Sequence, residues 1–147
     1  MQVPDEVPVM TLPKAILFPD AMLPLHIFEP RYRKMLTDAL QTHRMFCVGM
    51  QRTGTKREVP CPVAGLGLIR ACVTAANGTS HLVLQGLARV ELLETIRYRP
   101  YRVQRVRALP TTSTDSLAVD ALASRVLDLV AERLNQAKGL SAQILAK

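Results

Sequence analysis

Three histidines, three cysteines and twelve carboxylates are the side chains of this 147-residue chain most capable of chemistry. Their spacing assembles no reaction centre. His26, His43 and His81 have no second histidine at the one-turn spacing that a metal site on a helix uses, so no metal is expected. His26, between Leu25 and Ile27, reads as a structural histidine hydrogen-bonded at the start of a helix. Cys47, Cys61 and Cys72 are odd in number, widely spaced and lack a Cys-x-x-Cys pair, which fits reduced thiols in a cytoplasmic protein. A reactive thiol at Cys61 would have only Arg57 near it in sequence to stabilise the thiolate. Glu29 and Asp38 lie about 2.5 helical turns apart and point opposite ways. Gly65-Leu66-Gly67 lacks the third glycine and the Lys-Ser/Thr ending of a phosphate loop and opens a strand, so its glycines read as close packing at a barrel mouth. A Gly-x-Ser-x-Gly elbow is missing as well. These residues point away from an enzyme and call for no cofactor.

What remains is binding, and charge is its first clue. Residues 1–110 carry 15 basic and 8 acidic side chains, whereas residues 111–147 are balanced. The excess is densest at Arg97, Arg99, Arg102, Arg105 and Arg107, a candidate basic patch for phosphate contacts. Against an RNA-reading surface, aromatics make up 4% of the chain and only Tyr98 and Tyr101 interleave with those arginines. Basic residues on a strand also serve to keep sheet edges from pairing between molecules. The acidic, proline-containing start is unlike a secretion signal, and no window reaches the length of a membrane span.

The elements that must position these residues are mostly strands. Val7–Leu12 reads as a first strand. Pro13, Pro19 and Pro24 make the next segment irregular, with Ala15–Phe18 as an edge strand, since proline cannot donate to a ladder. Pro30 suits the first position of a helix whose apolar stripe is Tyr32, Met35, Leu36, Ala39 and Leu40. Met45–Met50 reads as a strand and Gln51–Pro62 as a polar loop. Leu66–Ala76 and Thr79–Gln85 form a hairpin about Asn77-Gly78, which predicts a type I′ turn. Gly86 allows a bend, after which Ala88–Tyr98 continues with Val90, Leu92, Ile96 and Tyr98 on one face. The returning strand Tyr101–Leu109 needs a bulge between Val103 and Val106, which have opposite parity. A polar linker leads to a second helix, capped by Asp115 or Ser116, with the stripe Val119, Leu122, Val126, Leu129, Val130, Arg133 and Leu134 and an end at Lys138-Gly139.

Two blocks carry a family resemblance. The first is Leu12-Pro13, Leu17-Phe18-Pro19 and Leu23-Pro24-Leu25-His26-Ile27-Phe28-Glu29-Pro30-Arg31-Tyr32; the second runs from Gly65 to Glu94 and contains Gly86-Leu87-Ala88-Arg89. Their order and spacing resemble the amino-terminal, substrate-binding domain of Lon proteases, in the form of stand-alone bacterial Lon-like proteins. The resemblance implies a mainly β fold with α (α+β): a six-stranded PUA-like pseudo-barrel over residues 1–110, one helix after the first strands, and a C-terminal helical appendage over 111–147. It implies binding of unfolded or flexible protein segments, self-association, and work beside a separate ATPase or protease. The ATPase and Ser-Lys peptidase modules of full Lon proteases do not fit in this length, so the resemblance carries over no catalytic residues.

Client capture needs apolar surface open to water. The candidates are Phe18, Met22, Leu23 and Leu25, in a proline-held loop that loses little entropy on binding. The competing reading is that these side chains plug one end of the barrel. The second helix is open in the same way, either pairing with a copy of itself in a homodimer or covering a sheet edge.

Overall fold

A computed structural model of the chain describes residues 2–111 and 116–145. The chain divides into two compact units, Met1–Pro110 and Thr111–Lys147. In the first, six strands and one helix follow in the order β1 (Glu6–Leu12), β2 (Met22–Ile27), α1 (Pro30–Gln41), β3 (Met45–Met50), β4 (Val63–Thr74), β5 (Ser80–Arg97) and β6 (Val103–Ala108). The sheet order is β2-β5-β4-β3-β1-β6, and an additional β5–β6 pairing closes it. Five strands therefore form a ring, and β2 hangs from it.

The eighteen-residue β5 makes this possible. One of its edges runs along β4. Its other edge pairs with β2 over Ser80–Gln85 and with β6 over Val90–Arg97. Between these stretches the ladder with β4 shifts register at Gly86. A side chain there would have no room, because an added Cβ would stand 1.9 Å from the Phe18 carbonyl oxygen. The irregular segment after β1 is instead held flat on β5, with the Asp20 N–H donating to the Gly86 carbonyl and the Gly86 N–H to the Ala21 carbonyl.

The pleat sorts apolar residues into two cores. Val7, Val9, Cys47, Leu66, Val90 and Val106 fill one cluster. Met10, Phe46, Val48, Ile69, Leu82 and Leu84 pack with Tyr32, Met35, Leu36 and Ala39 of α1 in the other. Burying each Val, Leu, Ile, Phe or Met among them contributes roughly 1.5–3 kcal/mol. The helix starts at Pro30 and buries the stripe its spacing predicts, apart from the half-buried Leu40.

Several local expectations are corrected. The edge strand lies at Met22–Ile27, not Ala15–Phe18, and residues 13–21 are irregular. Asn77-Gly78 does not form a type I′ turn: Gly78 alone has positive φ, the Gly78 N–H donates to Ala75 and the Ala75 N–H to Thr79. This is the three-residue hairpin loop in which a left-handed glycine closes a type I turn. The bulges opposite β6 lie in β5, between Leu92 and Thr95 and between Thr95 and Arg97, so β6 keeps strict alternation. As a result Gln104, not Val103, occupies the buried position beside Val106. Ile96 and Tyr98, expected inside with Val90 and Leu92, are exposed.

The second unit contains α2 (Leu117–Leu145), which runs through Gly139 instead of ending there. Ser116 caps it weakly, its Oγ accepting from the Val119 N–H at 3.3 Å; Asp115 lies outside the described residues. Val119, Leu122, Val126, Leu129, Val130 and Leu134 are all exposed. No described helix is long and apolar enough to cross a membrane.

Candidate binding surface

The alternation of β2 separates the four predicted contact residues. Met22 is exposed and Phe18 lies open in the segment before the strand. Leu23 and Leu25 point the other way, half-buried against the larger core. Their neighbours Pro24, His26 and Phe28 are exposed on the same side as Met22. The barrel-plug reading thus describes Leu23 and Leu25, and open surface describes Phe18 and Met22.

Register extends the open face across two more strands. Pro24 stands opposite Val83, which stands opposite Ala71; His26 stands opposite His81, which stands opposite Val73. These residues line a shallow, largely apolar concavity of about 460 Å³. The His26 and His81 rings stack with centroids 4.4 Å apart and planes 8° from parallel, and Phe28 lies 5.6 Å from His26. His26 is therefore a surface residue, not a helix-start anchor. Hydrogen bonding between Ala21 and Gly86 makes 22/85, 24/83 and 26/81 the narrow, non-hydrogen-bonded pairs, where side chains come closest. The same parity turns the backbone groups of Met22, Pro24 and His26 towards the free side of β2, where no other described strand pairs. Pro24 has no N–H to offer there.

The arginine cluster is not one surface. Arg105 pairs with Glu6 and Glu94, and Arg107 with Glu91. The Arg97 guanidinium lies over the Tyr101 ring at 4.7 Å and that of Arg102 over Tyr98 at 5.1 Å. Arg102 also donates to the Glu58 carbonyl at 3.0 Å. Arg99 has no ion pair among the described residues. With two of five charges neutralised by carboxylates and two guanidiniums laid on rings, the RNA reading has little left to support it.

The thiols and polar pairs serve structure. Cys47 is buried, which pushes its thiol up to about 12, far from the thiolate a nucleophile needs. Cys61 and Cys72 are half-buried and all three are free. The Tyr32 hydroxyl accepts from the Thr11 N–H at 3.1 Å and donates to the Thr11 carbonyl, and burial raises its pKa. Arg31 grips the Glu58 carboxylate with two bonds, at 2.9 and 2.8 Å, which keeps the guanidinium firmly protonated. No group of three or more metal-ligating side chains occurs among the described residues.

Against known proteins, the profile of the ATP-dependent protease La (LON) substrate-binding domain matches residues 6–146. The chain belongs to that family. Its relatives include the Lon protease of Dictyoglomus thermophilum, 21% identical over 86% of this chain and 16% of that protein. The Lon protease of Anaeromyxobacter dehalogenans is 26% identical over 88% of this chain and 16% of that protein. The chain thus spans about one sixth of these relatives. Among solved structures, a Lon N-terminal domain protein from Xanthomonas campestris superposes with a TM-score of 0.63 at 26% identity, covering 76% of this chain and 64% of that one. The N-terminal domain of a Mycobacterium avium complex Lon protease gives 0.69 at 16% identity over 92% and 71%, a likeness of fold. The Lon substrate-binding fold here is a six-stranded, ring-closed sheet with α1, followed in sequence by α2, and sequence reasoning missed the His26–His81–Val73 row because it crosses three strands.

Proposed function

We propose that the first unit captures apolar or flexible segments of other proteins on the face of β2, β5 and β4, and does so without covalent chemistry of its own. The observation that carries this reading is the exposure of Met22 (58%), Phe28 (59%) and Val73 (72%) on the side of the sheet that holds the concavity, with Phe18 (62%) open in the segment before β2. Grouped exposed apolar side chains of this size mark interaction surfaces in soluble domains. Met22 and the two phenylalanines suit varied partners, one by flexibility and the others by large contact area. Membership of a substrate-binding family supports a protein client over a small molecule.

The test is titration of a permanently unfolded model protein against the wild type and Met22→Asp/Phe28→Asp, at low and high salt. Apolar capture predicts affinity that survives salt and falls at least about tenfold in the variant, since a buried unpaired carboxylate costs more than the contact it replaces. Equal affinity for variant and wild type would overturn the reading. Binding of a labelled RNA that collapses with salt, with none to the unfolded protein, would replace it.

A further inference from the structure

On another part of the unit, the loop 51–62 and the β5 bulges enclose a cleft of about 500 Å³. Arg52, Arg57 and Arg102 line it, with Pro60, Pro62 and Leu92 as apolar wall. The loop is framed rather than loose. The Arg52 N–H donates to the Val59 carbonyl at 2.8 Å, the Cys61 N–H to Met50 at 2.7 Å and the Leu92 N–H to Pro62 at 2.7 Å. The Thr55 hydroxyl bonds the carbonyls of both Arg52 and Arg57. The guanidiniums of Arg52 and Arg57 have no partner among the described residues. Glu58, the one carboxylate in the lining, is turned to Arg31, so the cleft keeps a positive balance.

Gln104 supplies an independent observation. It lies in the lining with 6% of its surface exposed, and its Nε2 donates to the bulged Leu93 carbonyl at 3.1 Å. Its Oε1 is buried and has no partner. A buried acceptor left unmade is costly, so a polar side chain at this core-facing position needs a reason. The lining thus joins free guanidiniums to a polar amide at a core-facing position.

We infer that this cleft binds a carboxylate-bearing segment of a protein client, its acidic side chain or terminus held by Arg52 and Arg57 and its apolar neighbours set against Pro60, Pro62 and Leu92. A peptide offers a carboxylate and apolar side chains for that wall at once, whereas a phosphodiester backbone offers only the charge. Tyr98, the one ring in the lining, has a face covered by Arg102, which disfavours base stacking. The inference rests on the reading that the domain receives protein segments, and it adds a chemical preference at a separate place.

The test uses the full chain and two labelled peptides, identical except that glutamates in one are glutamines in the other. The acidic peptide should bind at least about tenfold more tightly, as charge-assisted bonds require. Arg52→Glu/Arg57→Glu, both on the exposed loop, should lower that affinity about tenfold or more. Arg33→Glu, an exposed charge reversal on α1 outside this lining, should leave it unchanged. Equal binding of the two peptides, or no effect of the charge reversal, would overturn the inference. So would tighter binding of a single-stranded oligonucleotide that displaces the acidic peptide. If Met22→Asp/Phe28→Asp fails to weaken the unfolded protein while the charge reversal still weakens the acidic peptide, apolar capture fails and the cleft assignment stands.

Discussion

The Tyr101 hydroxyl donates to Asp38 Oδ2 at 2.7 Å, a bond across sixty-three positions of chain that ties α1 to the turn before β6. Lys34 holds the other carboxylate oxygen from within the helix at 2.6 Å. These two bonds, Lys34 first, hold Asp38 below the ordinary carboxylate range, while burial and Asp38 together raise Tyr101.

A pH dependence follows. Because folding lowers the Asp38 pKa, the unfolded chain binds its proton more readily, and stability rises with pH through that window. The contribution should be complete above about pH 4, the usual carboxylate value, and vanish as pH falls through the folded one. Asp38→Asn should therefore differ from wild type in denaturant midpoint near neutrality and converge with it in acid. Tyr101→Phe should lose about 1 kcal/mol near pH 7 in the same titration.

The two faces of β2 should respond oppositely to substitution. Met22→Ala, at an exposed site, should change stability by no more than about 0.5 kcal/mol while weakening client binding. Leu25→Ala, packed on the core, should cost about 1–3 kcal/mol in urea unfolding, below the range for a fully buried leucine because the site is half-exposed.

Pro24 guards the free side of β2. Replacing it with valine restores an N–H directed outwards, between those of Met22 and His26. Pro24→Val should increase self-association, read as a concentration-dependent rise in sedimentation coefficient, with little change in the monomer's circular dichroism.

Gly86→Ala should destabilise the unit by roughly 1–3 kcal/mol, because the added methyl meets the Phe18 carbonyl and must push the 13–21 segment away. The shift should appear in hydrogen exchange at Asp20, whose N–H bonds the Gly86 carbonyl.

The cysteines should be modified in order of accessibility. At pH 8 an alkylating reagent should label Cys61 and Cys72 in the native protein, while Cys47, buried with its thiol pushed up to about 12, reacts only after denaturation. Mass spectrometry of timed samples distinguishes the sites.

Local pattern alone determined much of this protein. Pro30 and the 3.6-residue stripe set α1, period-two runs set the ring strands, and the proline-rich and Gly86 blocks marked the family before any contact was known. Those signals are short-range, so one chain segment suffices to read them. Tertiary structure decided which way β2 faces, because Pro24 obscures its alternation until β5 fixes the register and turns Met22 out and Leu25 in. It also decided that the Arg105 and Arg107 charges meet carboxylates of Glu6, Glu94 and Glu91 from neighbouring strands, and that two β5 bulges place Gln104 inside. Such pairings join residues far apart in sequence, and the energy that selects them is side-chain packing across strands, which no single segment contains.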